Sequence, residues 1–281
     1  MSAIYPLVST SWLAERLSSP EISIVDASWY LASSGCNARA EYDAVHIPGA
    51  AFFDIDEISD KKTDLPHMLP DAAAFASAMR KLGIGNAHTV VVYDGTGIFS
   101  SPRAWWMLRA MGHHHVAVLD GGLPKWKREG RPLESKPVEI RQSHFHAHPD
   151  PDFVRSYEQV HANLTSHAEQ VVDARSPGRF AGNEAEPRPN TKSGHIPGSL
   201  NVYFADLLTP EGTLRDADAL KKLFKERNVD VGKPIVTSCG SGITASVLLL
   251  ALEIAGAKKA AVYDGSWSEW GTRPGAPIDR G

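Results

Sequence analysis

Four short motifs occur twice in this chain, in the same order. Val25-Asp26-Ala27 returns as Val172-Asp173-Ala174, and His46-Ile47-Pro48-Gly49-Ala50 as His195-Ile196-Pro197-Gly198-Ser199. The run Val90–Gly95 is answered by Pro234–Gly240. Asp120-Gly121-Gly122 with Trp126 is answered by Asp264-Gly265-Ser266 with Trp270. The offset stays near 147 residues. Chance rarely preserves the order of four motifs, so the chain reads as two homologous domains. Its 281 residues are enough for both.

Within each repeat, short β-rich runs alternate with helical runs: Asp71 to Leu82, Ser101 to Met111, Ala217 to Glu226 and Thr244 to Ala255. That alternation predicts an α/β fold, with a parallel sheet flanked by helices in each domain. Between the repeats, Glu134 to Pro151 carries three prolines and little helical period, and it reads as extended. The expected division is a first domain over 1–135, a linker over 136–155 and a second domain over 156–281. His144, His146 and His148 alternate along the linker. No cysteine or carboxylate is spaced to join them on a metal, so a solvated connector is expected. His113-His114-His115 reads as a solvated loop before a strand.

Chemistry concentrates at Ser238-Cys239-Gly240-Ser241-Gly242-Ile243-Thr244. The apolar run Pro234–Thr237 predicts a buried strand leading in, and a helical run leads out. Glycines at 240 and 242 let successive N–H groups turn inward, and the following helix N-terminus adds partial positive charge. Such surroundings favour the thiolate, which is the nucleophile. An inert buried cysteine is the plain alternative. Strand ends are also where ligands sit in parallel sheets. The first repeat has Asp94 in place of the cysteine. One active site is therefore expected, with the first domain as scaffold and wall and the substrate pocket at the domain interface. His46, His195, Asp26 and Asp173 occur in both copies, so a structural role is expected for them. Trp12, Trp105, Trp106, Trp126, Trp267 and Trp270 read as core and interface packing, and Cys36 as incidental.

The Cys239–Thr244 loop resembles that of the rhodanese superfamily, and within it the sulfurtransferases that act on 3-mercaptopyruvate. The paired His-Ile-Pro-Gly motifs, Leu65–Pro70, Ser101–Trp106 and Asp264–Trp270 extend the resemblance over nearly the whole chain. The loop's one departure is Ile243, where valine is usual. The resemblance implies two rhodanese-like domains. It also implies sulfur transfer from 3-mercaptopyruvate through a Cys239 persulfide to a thiol or cyanide, releasing pyruvate. Ser241 would hydrogen-bond the sulfur or relay a proton. Gly240, Gly242, Ile243 and Thr244 would line the substrate. Arg179 and Arg188 would hold its carboxylate and keto oxygen, their planar forks matching a carboxylate. Surface ion pairing of Arg179 or Arg188 with Glu184 or Glu186 is the alternative. His67, Arg103 and Asp56 are weaker candidates for the pocket wall.

A thiosulfate sulfurtransferase is the nearest rival, but a dianionic donor would be better served by basic residues inside the loop, which is neutral. A cysteine phosphatase needs an arginine six positions after the nucleophile, where Ala245 stands. A persulfide-carrying module without turnover is the third possibility. The net charge of −4 gives no case for nucleic-acid or membrane partners, and the longest apolar stretch fits a buried helix. Met1–Thr10 lacks the pattern of a secretory or transit signal. With only two cysteines, no disulfide framework is expected and a cytoplasmic location is. No metal or other cofactor is expected. The partners expected are a small-molecule donor and a thiol acceptor such as thioredoxin or a small thiol.

Overall fold

Val90, Val91, Val92 and Tyr93 are all fully buried, in the strand Thr89–Tyr93. A strand covered on both faces needs consecutive apolar residues rather than alternation. The computed structural model describes residues 5–281. Residues 1–4, where the stretch read as free of targeting signals begins, lie outside the described residues.

Two five-stranded sheets form. The first holds β1 (Leu7–Val8), β2 (Ile22–Asp26), β3 (Ala51–Phe52), β4 (Thr89–Tyr93) and β5 (Val116–Leu119), in the order β1-β5-β4-β2-β3. The second holds β6 (Val154–Arg155), β7 (Gln170–Asp173), β8 (Leu200–Asn201), β9 (Ile235–Ser238) and β10 (Ala260–Tyr263), in the order β6-β10-β9-β7-β8. Every pairing is parallel, and the two orders are the same path through the sheet. The repeat in sequence is thus a repeat in topology. The expected helices are present at Ala72–Lys81, Ser101–Ala110, Ala217–Glu226 and Ile243–Ile254. Asp71 and Asp216 begin two of them by accepting the N–H groups of Ala74 and Ala219.

The chain divides into two compact units, though not at a single cut. One comprises the chain up to Asp60, Pro70–Asp150 and Thr209–Leu214. The other comprises Lys61–Leu69, Pro151–Leu208 and Arg215–Gly281. The segment 61–69 belongs to the first repeat by sequence but to the second unit by contact. Leu69 N–H donates to Asp264 Oδ2 at 2.7 Å. His67, read as a first-domain residue, is therefore part of the unit that carries Cys239.

Each unit has its own core. Trp105, Trp106 and Trp126 are fully buried in the first, Trp267 and Trp270 in the second, and Trp12 is half-buried. One histidine reading needs correction. His113 is not solvated: it is 2% exposed, packs 5.7 Å from Phe145, and burial lowers its pKa to about 4. It therefore stays neutral. The connector is extended but not merely solvated, because Phe145 is buried against Phe75. Apolar contact, invisible to a count of prolines and histidines, ties it to the first unit. Among the described residues, no group of three or more His, Cys, Asp or Glu side chains is placed to hold a metal. None of the helices among them is long and apolar enough to cross a membrane.

Candidate active site

Cys239 directly follows β9, and the helix Ile243–Ile254 begins four residues later. The helix is apolar on nearly every face, and Val247–Leu252 are all buried, so its position is fixed by packing. Gly242 precedes it with φ +82°, a left-handed backbone that favours glycine. That turn brings the Gly242 N–H to the cysteine sulfur at 3.1 Å.

The loop's carbonyls are drawn away to the helix Ser266–Trp270. Trp267 N–H donates to Cys239 O at 2.9 Å, and Ser268 donates to Gly240 O through N–H and Oγ at 2.8 and 2.6 Å. Cys239 N–H donates to Ser266 Oγ at 3.2 Å. With those carbonyls occupied, the N–H groups at the helix start remain for the sulfur side, since a helix's first turn has no internal acceptors. Cys239 is 2% exposed, so the Gly242 N–H stands in for water at its sulfur.

The first unit shows what such a loop holds. Asp94 is fully buried and its carboxylate fills the equivalent turn. Oδ1 accepts from Thr96 N–H, Thr96 Oγ1 and Gly97 N–H. Oδ2 accepts from the N–H groups of Phe99, Ser100 and Ser101 and from Ser101 Oγ. An anion therefore sits in the N–H cradle of one repeat as a permanent part of the chain. Removing it would strand several buried donors. Asp94→Ala is expected to cost about 3 kcal/mol or more, which lowers the thermal midpoint by roughly 5–10 °C. Calorimetry checks this, and a fall below about 2 °C would contradict it.

Arg179 and Arg188 lie in the second unit. Arg179 makes the ion pair weighed as an alternative, but that pair is not on the surface. Its Nε and Nη2 donate to Glu186 at 3.2 and 2.5 Å, and the Glu186 side chain is 4% exposed. Glu186 also accepts from Arg175 Nη1 at 2.7 Å. Arg175 is wholly buried, donates to Asp173 and to Gly194 O, and stacks 4.4 Å from the Trp267 ring. Burial works against the Arg175 charge, but Asp173 and Glu186 outweigh it and hold the guanidinium protonated. The Arg179 guanidinium lies over the loop: a Cβ on Gly240 would meet its Nη2 at 2.9 Å. A side chain there would have to displace the guanidinium that Glu186 holds.

Arg188 Nη2 lies 3.2 Å from His67 Nε2. His67 is 4% exposed and holds φ +64°, a left-handed conformation costly for a side chain of this size. Ser241 is 5% exposed. The hydrogen bond on the cysteine sulfur comes from Gly242 N–H rather than from the Ser241 hydroxyl. Asp56 and Arg103 belong to the first unit. There Asp56 accepts from Trp29 Nε1 at 3.0 Å, and buried Arg103 stacks 4.2 Å from Trp106. His46 and His195 bond the carbonyls of Tyr42 and Phe180, each at 2.8 Å, and Cys36 is exposed.

Sequence reading missed Arg175 as the anchor of the arginine network, and Ser266 and Ser268 as the pins of the loop. A signal for Arg175 existed. The repeated Val-Asp-Ala is followed by Ser28 in one copy and Arg175 in the other. The serines carry no such mark, because their partners are backbone carbonyls and N–H groups distant in sequence.

Residues 9–129 and 156–273 each match the sequence model of the rhodanese-like domain. Human 3-mercaptopyruvate sulfurtransferase is 47% identical over 270 residues, covering 94% of this chain and 91% of that protein. Thiosulfate sulfurtransferase of Cricetulus griseus is 44% identical over 272 residues, with the same coverage. Among solved structures, SseA from Escherichia coli, described as a 3-mercaptopyruvate sulfotransferase, superposes with a TM-score of 0.86 at 42% identity. That match covers 94% of this chain and 99% of SseA.

Proposed function

The chain belongs to the rhodanese family, and from that premise we propose that it is a sulfurtransferase that takes sulfur from 3-mercaptopyruvate through a persulfide on Cys239. The observation that carries this reading is the meeting of a nucleophile with a cation from another element, the helix Pro177–Ala181, at one loop. The Cys239 sulfur accepts an N–H in the turn after β9, and the Arg179 guanidinium lies over Gly240 beside it.

In the first half-reaction the Cys239 thiolate attacks the donor's sulfur. A sulfur–sulfur bond forms, and the carbon–sulfur bond breaks with its electron pair passing to carbon as the enolate of pyruvate. The proton first carried by the donor thiol ends on that carbon, with Ser241 as the relay. Arg179 and Arg188 hold the carboxylate and keto oxygen, which steadies the enolate as charge develops. The persulfide anion then occupies the cradle that Asp94 fills in the other repeat. In the second half-reaction an acceptor thiolate or cyanide attacks the outer sulfur and the Cys239 thiolate departs. Thioredoxin or a small thiol is the proposed acceptor, in the cytoplasm.

Thiosulfate is the second reading, because a thiosulfate sulfurtransferase is nearly as similar to this chain as a 3-mercaptopyruvate enzyme. The uncharged loop from Gly240 to Thr244 favours the monoanionic keto acid. Steady-state comparison of the two donors should give a kcat/KM at least about tenfold higher for 3-mercaptopyruvate. A preference for thiosulfate would overturn the donor assignment. Persulfide formation without turnover on an acceptor thiol would instead indicate a carrier.

A further inference from the structure

Glu186 is a buried carboxylate shared by two arginines, one structural and one beside the nucleophile. Arg175 donates to its Oε1 from the buried side at 2.7 Å. Arg179 grips it side-on through Nε and Nη2. A side-on grip leaves the end of the guanidinium fork, Nη1 with one N–H of Nη2, turned to the Gly240 side. That end is suited to a carboxylate. Arg175 is in turn locked by Asp173, Gly194 O and the Trp267 ring, so Glu186 is held rigidly from behind.

The first repeat supplies a comparison within the same chain. A Cβ on Gly95, the counterpart of Gly240, would meet Tyr30 Oη at 2.6 Å. Tyr30 Oη donates to Glu41 Oε2 at 2.6 Å. In both repeats a glutamate holds the group that lies over the loop's first glycine. Only the group differs: a neutral phenol over the Asp94 loop, a guanidinium over the Cys239 loop. The acid's constant task is placement.

Charge adds a second consequence. Asp173, Arg175, Arg179 and Glu186 carry two positive and two negative charges, so the cluster is neutral as a whole. Arg179 presents directed hydrogen bonds without a net field from its own cluster. A planar monoanion gains fully from directed bonds, whereas a tetrahedral dianion depends more on net positive charge.

We propose that Glu186 is a positioning residue that fixes the Arg179 guanidinium over Gly240 and, by cancelling its charge, biases the site toward a monoanionic sulfur donor over a dianionic one. This rests on the reading of 3-mercaptopyruvate as the donor. The test is steady-state kinetics of the full chain, wild type, Glu186→Gln and Glu186→Asp, with 3-mercaptopyruvate and with thiosulfate. The amide keeps one acceptor and removes the charge. A unit charge about 10 Å away at an effective dielectric near 20 alters binding about tenfold. Glu186→Gln should therefore shift the donor kcat/KM ratio about tenfold toward thiosulfate, with kcat for 3-mercaptopyruvate within about threefold of wild type. Glu186→Asp keeps the charge but withdraws the carboxylate. It should raise KM for 3-mercaptopyruvate and shift the donor ratio less than Glu186→Gln does. A folded Glu186→Gln with the wild-type ratio overturns the proposal. If that variant melts below the assay temperature, an unchanged KM in Glu186→Asp overturns it instead. A wild-type protein that does not use 3-mercaptopyruvate sinks the donor reading itself, which is a different result.

Discussion

Cys239→Ser is expected to lower turnover by at least about a thousandfold, with the fold and the binding of donor retained. Serine fills the same 2%-exposed position after β9 and can accept the same Gly242 N–H. Its hydroxyl cannot form the sulfur–sulfur bond on which the two half-reactions depend, so the covalent route closes. Exposure of the wild-type protein to donor should add the mass of one sulfur atom to the peptide containing Cys239, and none to the serine variant. Cys36→Ser should turn over within about twofold of wild type, because Cys36 is exposed in a loop of the other unit. A serine variant retaining a tenth of the activity would refute the nucleophile assignment.

Arg188→Ala and Arg179→Ala should each lower kcat/KM for 3-mercaptopyruvate about ten- to a hundredfold, mainly through KM. A lost charge-assisted hydrogen bond costs roughly 1.5–3 kcal/mol, which sets that range. The two variants should differ in stability. Arg179→Ala leaves Glu186 buried with Arg175 as its remaining ion-pair partner, so its melting temperature should fall further than that of Arg188→Ala. If both variants keep the wild-type KM for 3-mercaptopyruvate, the carboxylate is held elsewhere. His67 and Arg103 would then be the next residues to replace.

The sequence disclosed the fold through repetition. Runs such as Val90–Tyr93 and Pro234–Thr237 marked central strands because a strand buried on both faces leaves no room for polar alternation. The Cys239 loop was legible because a strand, two glycines and a helix are contiguous in the chain. What stayed hidden depends on distant partners. The placement of 61–69 with the second unit rests on single contacts such as Leu69 to Asp264. The Glu186 clamp looked like a surface ion pair, because spacing alone does not report that a carboxylate is 4% exposed. His113 looked solvated for the same reason: the ring that covers it, Phe145, comes from another segment.

The occupied cradle of the first repeat also bears on how the two copies can change over time. A single substitution that placed a cysteine at Asp94 would first remove the seven hydrogen bonds its carboxylate accepts. The helix there begins seven residues after Asp94, not four, and Tyr30 stands where a guanidinium would be needed. Shortening the loop, replacing the phenol and restoring the thiol would all have to occur before any gain was felt, and the first step weakens the domain. Such an arrangement acts as a ratchet: the copy that holds an internal anion in place of a nucleophile is kept to it by its own stability. On the persulfide reading, the other copy leaves its cradle to a sulfur that must come and go, and it remains the one on which selection for catalysis can act.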